Sequence, residues 1–117
     1  MEVSPVDYPA GRPVDGYGPG FFRLGDTRHD GPLALFVDGP AAWAGLPDIA
    51  PFTARAADID VLLIGTGAEI AALAPDVRAG LESAGIGVEQ MATPPACRTY
   101  NVLLGEGRRV ALAAMPV

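Results

Sequence analysis

The sequence predicts a single α/β domain with a mixed β-sheet at its centre, and three observations support this class. The second half of the chain alternates strand-like apolar runs with helix-like segments, an order typical of layered α/β domains. Residues 61–64 are all large and apolar, as expected of a central strand that is covered on both faces. The first half holds short apolar runs separated by turn residues, which predicts an antiparallel hairpin.

Composition narrows the functional classes. The 117 residues carry a net charge of −6, and the mean hydropathy is +0.27. An acidic protein is repelled by phosphate backbones, so we expect no nucleic-acid partner. No apolar run approaches the ~20 residues of a membrane-spanning helix, and the first residues do not have the pattern of a signal peptide. We therefore expect a cytoplasmic protein that does not span a membrane.

The chain has one cysteine, Cys97, and one histidine, His29. A single cysteine excludes an internal disulfide and a zinc site of several thiolates. Cys97 lies near the start of a predicted helix, so a reactive thiol is one hypothesis, but a small buried thiol is the favoured interpretation. No paired carboxylates or Ser/His/Asp arrangement is visible. We therefore predict no metal, no cofactor and no identifiable catalytic residue.

The first twenty residues contain four prolines and four glycines, a composition that disfavours regular structure. We interpret residues 1–13 as a flexible tail and residues 14–117 as the domain. Val14 and Tyr17 are the side chains expected to dock this entry segment.

Two strands are predicted next, Phe21–Leu24 and residues 33–37, with residues 27–31 as the polar tip of the hairpin between them. This hairpin would either extend the main sheet or add a small layer. Trp43 follows as a large core or rim residue. Residues 48–57 favour a helical turn, although prolines interrupt the pattern.

The second half begins with the strand 61–64. Pro75 suits the first position of a helix, where its missing N–H costs nothing, and Asp76 lies near the positive end of the helix dipole. Gly85 ends this helix, and residues 86–91 form the next strand. The apolar stripe of the helix comprises Val77, Leu81 and Ala84.

A second helix is predicted to begin at Thr93, as the N-cap, with Pro94 at the first helical position. Gly105 and Gly107 are the residues that can end it. Residues 109–115 then form a mostly buried strand, whose direction the sequence leaves open. One helix face holds Ala96, Tyr100 and Leu103, and the neighbouring face holds Cys97, Asn101 and Leu104.

The segment Gly65-Thr66-Gly67 follows a strand, as a phosphate-binding or dinucleotide-binding loop does. However, Ile70 occupies the position of the third glycine, and no helix opens directly from the turn. The favoured interpretation is a tight turn at the end of the strand. Anion binding by its backbone N–H groups together with Arg98 is the alternative.

A polar cluster follows in an otherwise apolar region. One hypothesis is a ligand or partner site near the helix ends. The other is that Glu106 pairs with an arginine and Asn101 binds backbone, so that these residues hold the turn before the last strand. The cluster comprises Arg98, Thr99, Asn101, Glu106, Arg108 and Arg109.

Five motifs occur in the order and at the spacing of a known family, and they cover residues 14–116. The chain resembles the Mth938-like family of small proteins, which includes mitochondrial NADH:ubiquinone oxidoreductase (complex I) assembly factor 3 and the adipogenesis-associated Mth938 domain-containing protein. The motifs are Tyr17-Gly18-x-Gly20-Phe21, Trp43, the segment 61–67, the segment Thr93-x-x-Ala96-Cys97-Arg98-Thr99-Tyr100-Asn101-Val102-Leu103 and the segment 106–110. One departure is Ala92, where relatives often carry an acidic residue.

The resemblance implies a three-layer α/β fold with a central mixed five-stranded sheet, here an N-terminal hairpin followed by β-α-β-α-β. It implies no catalytic residue, because the family has no agreed reaction. Two functions stay open: a non-enzymatic protein-interaction domain that helps to assemble a respiratory complex, and a small-molecule or anion-binding domain, which could be an enzyme. Protein partners or a homo-oligomer are compatible with the sequence. The candidate ligand or partner residues are Thr66, Gly67, Cys97, Arg98, Asn101, Glu106 and Arg108.

Overall fold

The computed structural model describes residues 12–117 and contains a small antiparallel sheet beside a larger mixed one. The small sheet consists of strands β1 (Gly16–Gly18), β2 (Phe21–Leu24) and β3 (Thr27–Asp30), paired in that order. The larger sheet consists of β4 (Leu33–Phe36), β5 (Gly39–Ala41), β6 (Val61–Gly65), β7 (Gly87–Met91) and β8 (Val110–Ala114).

The strand order of the larger sheet is β5-β4-β8-β6-β7. β6 runs parallel to both β7 and β8, whereas β4 is antiparallel to β5 and β8. The predicted mixed five-stranded sheet is therefore confirmed. The direction of the last strand, left open by the sequence, is parallel to β6.

Helices cover both faces of this sheet. They are α1 (Ala50–Thr53), a 3₁₀ turn (Ala56–Asp58), α2 (Pro75–Ser83) and α3 (Thr93–Gly105). The side chains of α1 and α2 pack in one apolar cluster, and those of α3 and the small sheet pack in another. The larger sheet separates the two clusters, which confirms the predicted three-layer α/β class.

The two cores alternate along β6, because successive strand residues point to opposite faces. Leu63 belongs to the cluster with α3, while Leu62 and Ile64 belong to the cluster with α2, and all three are completely buried. The prediction of an apolar strand sandwiched on both faces is thus confirmed. The middle position of the sheet, however, is taken by β8, whose five residues are all buried.

The predicted partner of Phe21–Leu24 was wrong. This strand pairs with Thr27–Asp30, so the expected polar tip is itself a strand, and Leu33–Phe36 lies in the larger sheet. Gly25 adopts φ +60, which allows the tight two-residue loop that connects β2 to β3. The sequence pattern does not predict β3 because apolar and polar residues do not alternate along it. Its side chains are mostly exposed at the edge of the small sheet.

The entry segment is more regular than predicted, because Gly16–Gly18 forms β1 against β2. Val14 is buried in the core as expected, but Tyr17 is 41% exposed and does not anchor the segment. The predicted flexible tail, residues 1–13, lies outside the described residues except for Arg12 and Pro13.

The predicted α2 and the helical turn within residues 48–57 are confirmed. Pro75 starts α2, and its predicted stripe packs in the cluster that covers one sheet face. The helical turn expected within residues 48–57 is present as α1. Trp43 is half-buried at the edge of the same cluster, with its ring edge-on to Phe52 at a centroid distance of 5.5 Å.

A substitution at Gly65 tests whether the fold requires the close approach of α3 to β6. A Cβ at this position would lie 2.7 Å from Thr93 Oγ1 and 2.8 Å from Thr93 Cα, so Gly65→Ala forces the backbone apart. We expect the variant to lose about 1–3 kcal/mol of unfolding free energy in urea denaturation. Gly16→Ala is the control, because a Cβ there meets nothing within 4 Å. Equal effects of the two substitutions would contradict this close approach.

Candidate functional site

The candidate site residues are distributed along α3 and do not form one site. α3 has 13 residues and is therefore about 20 Å long. Thr66 and Gly67 lie near its first turn, where β6 ends. Glu106 and Arg108 lie beyond its last turn, before β8. The sheet thus has two distinct ends with different polar residues.

Thr93 connects three segments at the first of these ends. Its hydroxyl accepts a hydrogen bond from the Gly67 N–H at 2.9 Å and donates one to the Met115 carbonyl at 2.6 Å. The Thr93 N–H donates to the Gly67 carbonyl at 2.8 Å. Thr93 is completely buried, so these bonds replace its contacts with water.

The predicted N-cap role of Thr93 was wrong, because Ala92 occupies the cap position. A capping side chain accepts from the second or third helical N–H. If Thr93 were the N-cap, the second helical residue would be Pro95, which has no N–H. The third would be Ala96, whose N–H already donates to the Ala92 carbonyl. The hydroxyl is therefore available to the turn and to the segment after β8.

The Gly65-Thr66-Gly67 turn uses its polar groups internally. The Thr66 N–H donates to the Met91 carbonyl at 2.9 Å, and the Gly67 N–H is taken by Thr93. The Thr66 hydroxyl donates to the Glu69 carbonyl at 2.8 Å and accepts from the Ala71 N–H at 2.9 Å. These contacts match the interpretation as a structural turn at the strand end.

Residues 66–74, the loop that begins with this turn and leads to α2, are held by further side chains. Gln90 Nε2 donates to the Ala71 carbonyl at 2.6 Å, and Arg78 donates to Gln90 Oε1 at 3.0 Å. Ile70, near the tip of the loop, is 65% exposed. A defined apolar loop therefore projects from the end of the sheet where β6 ends.

Cys97 and His29 are not associated. Cys97 is 3% exposed in the core beside α3, and burial raises the pKa of its thiol to about 12. Desolvation thus outweighs any lowering by the helix N-terminus. His29 Nε2 lies 2.8 Å from the Pro32 carbonyl in another part of the fold. These facts favour the buried-thiol interpretation over a nucleophile.

Asn101 holds the entry segment against α3. Its amide oxygen accepts from the Val14 N–H at 2.9 Å, and its amide nitrogen donates to the Val14 carbonyl at 2.8 Å. The Tyr100 hydroxyl donates to the Arg12 carbonyl at 3.3 Å, and burial raises the pKa of this phenol. Asn101 therefore binds backbone as predicted, but in the entry segment and not in the turn before β8. Arg98 is exposed on the same helix.

At the other end of α3, Arg109 and not Glu106 forms the ion pair. Its guanidinium donates to both carboxylate oxygens of Asp60, at 2.6 and 3.2 Å, and this contact lowers the pKa of Asp60. No ion pair within residues 12–117 involves Glu106, so its predicted pairing with an arginine is not found there.

Arg55 and Asp38 form a second ion pair beside the first, at 2.8 Å. The guanidinium of Arg55 also lies 4.0 Å from the centre of the Phe36 ring, and its hydrogen bond lowers the pKa of Asp38.

A cavity of about 320 Å³ opens between these pairs. Among the lining residues, the sequence pattern indicated Arg108 and Arg109 but not the others, because the cavity combines the end of β4, the 3₁₀ turn and the α3–β8 loop. The lining residues are Val37, Asp38, Arg55, Asp58, Leu104, Gly107, Arg108 and Arg109.

Between residues 12 and 117, no helix has the length and apolar character needed to cross a membrane. Over the same residues, no three His, Cys, Asp or Glu side chains come together as a group that could hold a metal ion.

The three-layer arrangement is that of an Mth938-like domain. A Bordetella pertussis protein whose solution structure is described as a Mth938-like domain superimposes with a TM-score of 0.77 and 29% identity, covering 99% of this chain and 92% of that one. A Bartonella henselae protein, described as an outer membrane protein, superimposes with a TM-score of 0.84 and 36% identity, covering 95% and 99%.

The chain belongs to the family described as "Protein of unknown function (DUF498/DUF598)", which matches residues 14–115. It is 46% identical over 105 residues to an uncharacterized protein of Rhodobacter capsulatus, covering 90% of this chain and 85% of that one. It is 32% identical over 123 residues to NADH dehydrogenase [ubiquinone] 1 alpha subcomplex assembly factor 3 of Danio rerio, covering 99% of this chain and 71% of that protein. The family resemblance is thus confirmed.

Thr93→Val tests the buried hydroxyl. The substitution leaves the Gly67 N–H and the Met115 carbonyl without their partner, so we expect a loss of about 2–4 kcal/mol of unfolding free energy in urea. Thr99→Val is a matched control on the same helix, because that half-buried hydroxyl reaches only Met91 Sδ at 3.8 Å. A loss no larger than that of the control would show that the three-segment junction does not depend on Thr93.

The thiol of Cys97 provides a test of the buried-thiol interpretation. With a pKa raised to about 12, native protein at pH 8 should react with a disulfide reagent at least about a hundredfold more slowly than urea-unfolded protein. Because the folded pKa is raised, the stability held by the neutral thiol is complete below the unfolded pKa of about 8.5 and declines as the pH rises toward 12. Prompt stoichiometric labelling of native protein, absent in Cys97→Ser, would favour the nucleophile instead.

Proposed function

We propose that this protein is a non-enzymatic interaction domain of the cytoplasm that helps to assemble a respiratory NADH dehydrogenase. The relationship to the Danio rerio protein named as an assembly factor supports this proposal, since the alignment includes 99% of the present chain. The shared part is therefore the whole domain and not a peripheral segment.

The internal use of polar groups supports binding over catalysis. Three of the residues that suggested a reactive or anion-binding site are used within the fold. The Gly67 N–H donates to Thr93, Asn101 binds the Val14 backbone, and Cys97 packs in the apolar core. A catalytic group needs a side chain that is directed at a substrate. These contacts give Gly67, Asn101 and Cys97 structural roles.

The observation that carries the proposal is the ordered apolar loop at residues 66–74. Its alanines at 68, 71, 72 and 74 are exposed together with Ile70, yet side chains from β7 and α2 hold its backbone in place. Exposed apolar surface on an otherwise well-packed domain is typical of a protein-binding site. A preorganised loop also lowers the entropy lost on association.

The acidic residues near the loop indicate the charge expected on the partner's surface. Glu69 and Asp76 are exposed within or just after the loop, and the protein carries a net charge of −6. The complementary surface is therefore an apolar patch with basic residues at its rim. We propose that such a patch belongs to a subunit of the assembling complex.

The alternative of a small-molecule or anion site at Gly65-Thr66-Gly67 with Cys97 and Arg98 has less support. The N–H groups of Thr66 and Gly67 already donate within the fold, and the Cys97 thiol is buried. A thermal-shift screen with nucleotides and organic anions separates the two functions. The alternative requires stabilisation by such a ligand that Arg98→Gln abolishes.

Ile70→Glu is the test of the proposed interface. A carboxylate at the loop tip replaces apolar contact with a charge, so we expect at least about a tenfold loss of partner affinity. Tagged variants would be expressed in a deletion strain of the natural host, followed by capture of NADH dehydrogenase subunits, native-gel detection of the assembled enzyme and measurement of its activity.

Val102→Glu is the matched control. Val102 is 60% exposed, against 65% for Ile70, but it lies on the outer face of α3, away from the loop. The proposal expects wild type and Val102→Glu to restore assembly and Ile70→Glu to fail. Normal enzyme assembly in the deletion strain would overturn the assembly role, and full rescue by Ile70→Glu would overturn the loop as the interface.

A further inference from the structure

We propose that the cavity at the α3–β8 end binds a small zwitterion with an apolar substituent, of which apolar α-amino acids are the simplest class. The inference is independent of the assembly role, because the cavity and the 66–74 loop lie at opposite ends of the larger sheet.

The cavity has the size and the floor that such a ligand requires. Its volume of about 320 Å³ falls at the lower end of the range for small-molecule sites, about 300–1,000 Å³. Val37 and Leu104 supply apolar surface and both pack in the core cluster beside α3. This surface can bury an aliphatic side chain but cannot satisfy a polar one.

Two of the arginines that line the cavity are already neutralised. Arg55 is paired with Asp38 and packs on Phe36. Arg109 is paired with Asp60 and also donates to the Ala57 carbonyl at 3.0 Å. Both guanidiniums therefore line the cavity with their charge already paired, which leaves the recognition of a charged ligand to other groups.

Asp58 and Arg108 are the remaining charges of the lining. Within residues 12–117, no ion pair involves either of them, although both face the same cavity. Both side chains are exposed, so a ligand can reach them. An ammonium group suits Asp58, and a carboxylate suits Arg108.

The presence of both signs selects for a zwitterion. Because both residues line the cavity, a simple anion bound there is exposed to the carboxylate of Asp58, and a simple cation to the guanidinium of Arg108. A molecule with both charges avoids both repulsions, and its apolar group can lie on Val37 and Leu104. Electrostatic complementarity of this kind mainly supplies specificity.

Three related probes test the proposal on the full chain. The ¹⁵N-labelled protein is titrated at pH 7 with L-leucine, N-acetyl-L-leucine and L-leucinamide while amide shifts are recorded by NMR. We expect L-leucine to shift the amides of Val37, Gly107 and Arg108, and to bind at least about threefold more tightly than either derivative, since each derivative lacks one charge.

Two variants assign the charges. Arg108→Gln should remove the preference for leucine over leucinamide, and Asp58→Asn should remove the preference over N-acetyl-leucine. Arg98→Gln and Glu106→Gln are controls that should keep both preferences, because these exposed residues do not line the cavity. Equal binding of the three probes, shifts located elsewhere, or unchanged preferences in both variants would overturn the proposal.

Discussion

The hydroxyl of Thr93 is the contact on which the architecture depends most. It joins the turn after β6, the first turn of α3 and the segment after β8, three parts of the chain that are distant in sequence. Gly65 permits this junction because it has no side chain to separate β6 from the helix. A buried hydroxyl with a donor and an acceptor fully satisfied favours one arrangement, since any shift leaves polar groups unpaired in the interior. The junction therefore holds the start of α3 against the ends of β6 and β8.

The sheet divides the molecule into two cores and also separates its two candidate functional regions. The end at which β6 finishes holds the junction and presents the apolar loop with Ile70. The end at which β6 and β8 begin holds the cavity, with its ion pairs between Arg55 and Asp38 and between Arg109 and Asp60. Polar side chains in the middle, such as Asn101, secure the entry segment instead of forming a site. The proposed protein-binding loop and the proposed small-molecule cavity therefore lie at opposite ends of one small domain.

The spacing of apolar residues and the positions of proline and glycine were enough to predict the helices α2 and α3 and the strands β6, β7 and β8. The two helices and the strands β6 and β8 have apolar patterns bounded by proline or glycine, and β7 begins just after Gly85, which follows α2. Local signals of this kind persist in the folded state. The hairpin was assigned the wrong partner because β3 is polar along its length, and the two-residue loop at Gly25 carried the only usable signal. The N-cap prediction for Thr93 failed because Pro95 has no N–H to offer a cap. The cavity could not be predicted from the sequence, because Val37, Asp58 and Arg108 come together only through long-range strand pairing.

The position of β8 in the larger sheet constrains how the chain reaches its native state. β8 follows β4 and β6 in the sequence but lies between them in the sheet. During synthesis, β4 and β6 therefore emerge from the ribosome before β8, and the backbone N–H and C=O groups along one edge of each strand stay unpaired until β8 is made. Strand pairing between segments that are distant in sequence is slow, and aggregation-prone surface stays exposed until it is complete. Nascent chains of this domain should accordingly rely on holding chaperones more than those of α/β domains whose strands pair in order of translation.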